Sequence, residues 1–286
     1  MKTYNSSTTL IEHLWVCITF FYVPERLSYL QQVINGYEQI ANKITISIIT
    51  NITNYDHITS KLTFSKLNNL TYNFISTQTI GHNYLYPWLY TIAFNQALKS
   101  SDATHFLYTE DDHLFTRKNV IYWLEYRDSL AEHGFIPSFF RVEYHKKRGW
   151  VSTDQANKMS YFRIKLLKLK SGEKFIGFRN PYQGLFFLDR PLMEEFSTSG
   201  AINPDFGIWH IREKAAQGLT FVNVPKGYKS RNLVLLDDLF KGVSDKAWVH
   251  HLPNNYACDD NAIFGKLNVN NGKLFTKFGI FKIKIS

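Results

Sequence analysis

The stretch HFLYTEDDHLF, His105–Phe115, sets an apolar run against three consecutive acids. Phe106, Leu107 and Tyr108 read as a buried strand, and Glu110, Asp111 and Asp112 follow at its carboxyl end. Adjacent carboxylates repel one another, and burial penalises each charged form. They must meet positive charge or splay into water. A divalent cation is an economical partner, because carboxylate oxygens are hard ligands that suit Mg²⁺ or Mn²⁺. Mg²⁺ takes few protein carboxylates and completes its shell with phosphate oxygens, so an acidic strand end suggests a metal-bound di- or triphosphate. The plainer alternative is a solvated loop that caps a helix.

Upstream of this stretch the chain alternates strand and helix. Residues 15–22 form an apolar run that Pro24 ends. Leu27, Leu30, Ile34, Tyr37 and Ala41 then recur at helical spacing. KITISIIT is rich in β-branched residues, and TYNFIST is a third short strand. A helix is expected after Gly81, with Leu85, Trp88, Leu89, Ile92 and Ala93 on one face and Pro87 in its first turn. This β-α-β-α-β order predicts an α/β fold with a mostly parallel sheet flanked by helices. Ligands of such sheets bind at the carboxyl ends of the strands. Residues 22–26, 50–51 and 109–113 all fall there.

The second half is more mixed. A helix is expected over 119–134, strands at SFFRVEYH and QGLFFLDR, and a hairpin or irregular segment over 146–180. DFGIWHIREKAAQG reads as a helix with Ile208, Ile211 and Ala215 on one face, and LTFVNVP and AWVHHLP as short strands.

Composition narrows the classes without choosing a function. The 286 residues carry a net charge of +9, which favours anionic partners. The lysines are dispersed, and nothing resembles a nucleic-acid motif, so nucleic acid is not an expected partner. Two distant cysteines make neither a metal motif nor a disulfide framework, and they fit a cytoplasmic protein. The longest apolar run, Leu14–Val23, has half the length a spanning helix needs, about 20 residues. In KLFTKFGIFKIKIS at the C-terminus, Phe278, Ile280 and Ile283 interleave with Lys277, Lys282 and Lys284. That pattern fits an edge strand or a peripheral contact with the inner face of the cytoplasmic membrane.

The strand ending in TEDDH resembles the D-x-D-type motif of glycosyltransferases with the GT-A fold, which bind a nucleotide sugar through a metal. The resemblance covers residues 14–252 and implies a single Rossmann-like GT-A domain over 1–286 with a mixed acceptor-side half. Residues 14–115 would be the nucleotide-sugar half, 116–252 the acceptor and catalytic half, and 253–286 an extension. The implied metal is Mn²⁺ or Mg²⁺. Asp112 would bind it directly, Glu110 would touch it or the ribose, and Asp111 would face the donor sugar. AWVHHLPNNY resembles the C-terminal histidine of such metal sites, with His251 preferred over His250. NPDFGIWHIREKAAQG resembles the block that carries the general base of inverting members. There Asp205 is the candidate, at a helix N-terminus, and Glu213 the reserve. NPYQGLFFLDR resembles the segment lining the sugar side of the pocket, through Gln183 and Gly184, with Tyr182 able to stack on a sugar. TFFYVPER resembles the turn that holds base and ribose, through Thr19, Tyr22 and Arg26, with Asn51 beside them.

The resemblance implies transfer of a sugar from a UDP-sugar to a hydroxyl of a glycan or lipid-linked glycan, with inversion, in surface polysaccharide or lipopolysaccharide synthesis. Two other classes stay open on sequence. One is metal-dependent nucleotidyl transfer or phosphohydrolysis, for which Asp237, Asp238, Asp259 and Asp260 offer further acids. The other is a basic nucleic-acid-binding protein.

Overall fold

Three consecutive residues of the first strand, Val16, Cys17 and Ile18, are wholly buried, so both faces of that strand are covered. Such burial is the mark of a central strand in a parallel sheet. The structure is a computed structural model that describes residues 10–64, 69–76, 82–159, 165–237, 242–269 and 274–275. In chain order it runs β1 (Ile11–Phe20), α1 (Leu27–Asn35), β2 (Ala41–Thr50), α2 (Asp56–Thr59), β3 (Leu70–Ser76), α3 (Tyr90–Ser100), β4 (His105–Glu110), β5 (His113–Leu114) and α4 (Arg117–Ala131). The next elements are β6 (Ile136–Pro137), β7 (Phe140–His145), β8 (Gly149–Ser152), β9 (Leu166–Lys168), β10 (Lys174–Ile176), β11 (Leu185–Asp189), α5 (Arg190–Thr198) and α6 (Ile211–Lys214). The last are β12 (Asn232–Leu235), β13 (Trp248–His251), α7 (Asn255–Cys258) and β14 (Leu267–Asn268).

The chain divides into two compact units. The first comprises residues 1–120 and 184–219, and the second residues 121–183 and 220–286. The return of residues 184–219 to the first unit interrupts the second half of the chain.

The first unit is built on a five-stranded sheet in the order β11-β4-β1-β2-β3. β1 runs parallel to β2 and β4, and β2 parallel to β3, while β11 closes the sheet antiparallel to β4. The mixed α/β character and the mostly parallel sheet expected from the apolar runs are therefore present. Tyr90, Phe94, Tyr108, Phe186 and Phe196 pack ring against ring beside it, so these aromatics build core. α1 stops earlier than its apolar spacing suggests. A Cβ on Gly36 would meet the Phe115 carbonyl at 2.6 Å, Tyr37 lies in the following turn, and Ala41 opens β2. The segment over 83–100 begins as a 3-10 helix that contains Pro87 and becomes α3 only at Tyr90. Ile92, expected on the buried face, is exposed.

The expected helix over 205–218 is mostly absent. Only Ile211–Lys214 are helical, and Ile208 is 77% exposed. Two features of the chain explain it. Gly207 has φ +98°, outside the helical region. Gln217 folds back to donate to the carbonyls of Ala201 and Phe206, so the segment winds around its amide as a loop. LTFVNVP likewise forms turns rather than a strand.

The second unit holds two small sheets. β12 pairs parallel with β6 and antiparallel with β10, which pairs with β9. β7 pairs antiparallel with β8 and parallel with β13, and β14 adds to β8. The expected hairpin over 146–180 thus appears as two hairpin connections, β7–β8 and β9–β10. The basic-apolar pattern from Lys277 to Lys284 lies outside the described residues. Among the described residues no helix is long and apolar enough to cross a membrane.

Candidate metal centre

Parallel pairing of β1 with β4 sets Thr19 opposite Glu110, at the carboxyl ends of both strands. The Asp111 N–H donates to the Thr19 carbonyl at 3.2 Å, which carries the pairing one residue past the strand. Asp111 and Asp112 are 3% and 4% exposed, so the acids are buried rather than splayed. Arg26 accounts for part of that. It lies in a 3-10 turn after β1, where Pro24 fixes the backbone. Its Nε and Nη2 donate to both Asp111 oxygens at 2.8 and 2.7 Å, and Nη2 also reaches Asp112 at 2.8 Å.

These groups perturb one another. Burial pushes the Asp111 carboxyl up to about 6, and the neighbouring Asp112 charge adds to it, against the pull of Arg26. Burial pulls the Arg26 guanidinium down, but its hydrogen bonds and the carboxylate charges outweigh that and raise it. The rise at Asp111 opposes what an isolated ion pair would do to its acid, whereas the rise at Arg26 follows it, and the fork at 2.7–2.8 Å favours the ionised pair.

His113 follows directly and is wholly buried, with Nδ1 3.3 Å from Asp112 Oδ1. The Cε1–Nε2 side of its ring occupies the space over Gly184. A Cβ there would stand 2.6 Å from both Cε1 and Nε2 of His113. Gly184 also has φ +70°, so glycine serves both the turn and the close approach.

Asp112 and His113, both buried and side by side, could help hold a metal ion. His251, the expected histidine ligand, is buried on β13, with Nδ1 2.5 Å from Glu143 Oε1. A carboxylate oxygen beside an imidazole nitrogen makes a mixed donor set. It fits Mn²⁺, Fe²⁺ or Zn²⁺ better than Mg²⁺, which prefers an oxygen shell.

Other expected site residues have identifiable places. The Tyr22 N–H donates to Asn51 Oδ1 at 2.6 Å, which clips the end of β1 to the end of β2. The Tyr22 ring lies against His57, with centroids 6.0 Å apart. The Thr19 hydroxyl turns inward and donates to the Tyr108 hydroxyl at 3.2 Å. Glu110 is half-buried at the end of β4. Gln183 is buried, and its amide oxygen accepts from the Ser138 hydroxyl and the Phe139 N–H at 2.8 and 2.7 Å. Tyr182 lies over the Arg141 guanidinium at 5.1 Å. His250 meets Asn254 Oδ1 at 2.9 Å and packs its ring edge on Trp150.

The helix N-terminus expected at Asp205 is not formed. Asp205 is exposed in a turn, its N–H bonded to Asn203 Oδ1 at 2.9 Å, and His210 stands at the N-terminal cap of α6. Glu213 forms a surface ion pair with Arg212 at 3.2 Å. Sequence reading overlooked His113, although it directly follows the acids. It also overlooked Glu143, whose only signal was a charged residue inside the apolar strand FRVEYH.

Comparison with protein-family models and with curated proteins finds no match for this chain.

Proposed function

We propose that the protein is a metal-dependent glycosyltransferase of the GT-A type, which moves a sugar from a UDP-sugar to a hydroxyl of a glycan acceptor. The observation that carries this reading is the buried run Asp111–Asp112–His113 at the carboxyl end of β4, beside the turn after β1. Open parallel sheets bind nucleotides at that edge. In this reading Asp112 and His113 hold a divalent ion, with Mn²⁺ favoured by the imidazole. The ion supplies electrophilic stabilisation of the diphosphate leaving group. Arg26 keeps Asp111 ionised and fixed, and its half-exposed guanidinium lies at the same edge to meet a phosphate. Tyr22, with Asn51 clipping its backbone, forms the flank on which a base can rest. A base must take the acceptor proton. Asp205 and Glu213 are the acids to examine for that role, and the substrate hydroxyl would meet them at the exposed loop.

The test uses titration calorimetry of UDP with and without Mn²⁺, followed by product analysis with a panel of UDP-sugars. Wild type should bind UDP more tightly with Mn²⁺ and release UDP with transfer or hydrolysis of the sugar. Asp112→Ala should lose the metal-dependent part of the affinity. Equal binding by wild type and Asp112→Ala, or UMP as the product, would refute the proposal; UMP would place the chemistry at phosphorus. Asp205→Asn and Glu213→Gln should both retain donor binding, and only the residue acting as base should stop transfer.

A further inference from the structure

The turn between β7 and β8 lies in YHKKRGW, Tyr144–Trp150, which sets three consecutive cations between two aromatic residues. Cross-strand pairing puts Tyr144 opposite Trp150 and His145 opposite Gly149, so Lys146, Lys147 and Arg148 form the hairpin tip. The tip has a defined shape. Gly149 has φ +73°, and His145 Nδ1 accepts the N–H groups of Lys147 and Arg148, both at 3.2 Å. The Tyr144 N–H donates to Asn254 Oδ1 at 2.7 Å, and Arg148 Nη2 donates to the Ala257 carbonyl. All of these residues belong to the second unit.

Strand alternation and the register with β13 place Tyr144, Trp150, Trp248 and His250 on one face of this sheet. Tyr144 is 46% exposed, and Trp150 and Trp248 are partly exposed. Trp150 meets Tyr144 and His250 edge to face, at 68° and 88°, and leans on Trp248 with centroids 5.7 Å apart. Lys146 and Lys147 are exposed at the tip. The local field is positive. His145 titrates below its ordinary 6.5, through desolvation first and then through the charges of Arg148, Lys147 and Lys266, which Asp260 opposes.

Cations alone would draw any polyanion. The aromatic face narrows the choice. Trp and Tyr settle at the boundary between lipid headgroups and hydrocarbon, because each has an apolar body and a polar handle. Flexible lysines beside them reach the phosphates. A single-stranded nucleic acid would need open ring faces on which bases stack, and these rings meet edge to face. We propose that the β7–β8 hairpin docks the protein on an anionic lipid surface, lying on its Tyr144 face with Lys146 and Lys147 among the headgroups. Charge and apolar contact then act together, the pairing of two signals that holds a protein at a membrane.

The experiment is co-sedimentation of the full chain with vesicles of phosphatidylcholine, alone or mixed with phosphatidylglycerol. Wild type should bind the mixed vesicles, and added salt should weaken that binding. A lysine near an anionic surface is worth about fivefold in partition, so Lys146→Ala/Lys147→Ala should bind about 30-fold more weakly. Tyr144→Ser should weaken binding as well, which a contact by charge alone would not show. All three side chains are exposed, so both variants should fold, and circular dichroism checks this. Failure of wild type to bind the mixed vesicles overturns the proposal without any variant. Full binding by either variant overturns it too, as does binding lost only when Lys277, Lys282 and Lys284 are replaced. Retention on single-stranded RNA that the lysine variant loses, with no binding to vesicles, would reassign the hairpin to nucleic acid.

Discussion

Gly184→Ala should damage the candidate centre without touching any polar group. Two costs follow from the structure. The backbone at φ +70° is strained for alanine, which costs about 1–3 kcal/mol. The new methyl would stand 2.6 Å from the His113 ring, where ordinary contacts begin at 3.4 Å. One side must yield by about 0.8 Å, and overpacking of that kind costs about 1–3 kcal/mol more. His113 is wholly buried, with Nδ1 3.3 Å from Asp112, so a displaced ring also disturbs the candidate ligand geometry. Gly172→Ala is the control, since Gly172 has φ +108° and nothing within 4 Å of the added carbon. Urea unfolding should therefore show a larger loss for Gly184→Ala than for Gly172→Ala. Mn²⁺ calorimetry should show a loss of about tenfold or more in affinity for Gly184→Ala alone. Equal stability losses together with unchanged Mn²⁺ binding would refute the reasoning, because the collision would then have no consequence.

Three further perturbations follow from the same sheet. Arg26→Ala removes three hydrogen bonds from two buried acids and should cost about 1–3 kcal/mol, discounted because the guanidinium is partly exposed. Arg26→Lys should recover only part of that in urea melts, since an ammonium cannot fork. The Tyr86 hydroxyl reaches the Phe20 and Ile49 carbonyls at 2.8 and 2.5 Å, so Tyr86→Phe should lower stability by about 1–2 kcal/mol with little change in fold by circular dichroism. His13 titrates below its ordinary 6.5 because burial outweighs its hydrogen bond to Asp102, and that bond holds Asp102 down at about 2. As pH falls below 6.5 the unfolded chain binds a proton at His13 before the folded one does, so stability declines. As pH falls from 3.8 towards 2, protonation of Asp102 removes the stability its lowered value supplied. Urea melts from pH 7.5 to 5 should slope less for His13→Asn than for wild type. An unchanged slope would remove His13 as a source.

The parallel sheet was legible because burial on both faces leaves continuous apolar runs, as in β1 and β2. Direction was not legible. LFFLD reads as a strand, yet nothing in its four apolar residues says that β11 runs antiparallel to β4. The segment from Asp205 to Gly218 shows why periodicity misleads. Ile208, Ile211 and Ala215 have helical spacing, but Gly207 at φ +98° and the inward fold of Gln217 override a short apolar pattern. A loop wound on one amide leaves no periodic trace. The acids of the candidate centre were legible as chemistry, since residue type and position at a strand end suffice. Their partners were not. Arg26 and Asp111 are 85 residues apart, and only the adjacency of β1 and β4 brings them together.

That adjacency changes which residues support the metal reading. Consecutive acids at a strand end call for positive charge, and a divalent ion is one way to supply it. Arg26 is another, because one guanidinium already bonds both Asp111 and Asp112. The acids alone would therefore fit an ion-paired structural corner as well as a metal site. A guanidinium does not explain the imidazole. His113 is wholly buried, with Nδ1 3.3 Å from an Asp112 oxygen. Burying a histidine there costs solvation that a hydrophobic residue would avoid. A ligating role gives that cost a purpose. Mn²⁺ binding should accordingly be more sensitive to His113→Ala than to Arg26→Ala, although Arg26 contributes more of the charge at the acids. The reverse order of sensitivity, measured by calorimetry on folded variants, would return the corner to a purely structural role.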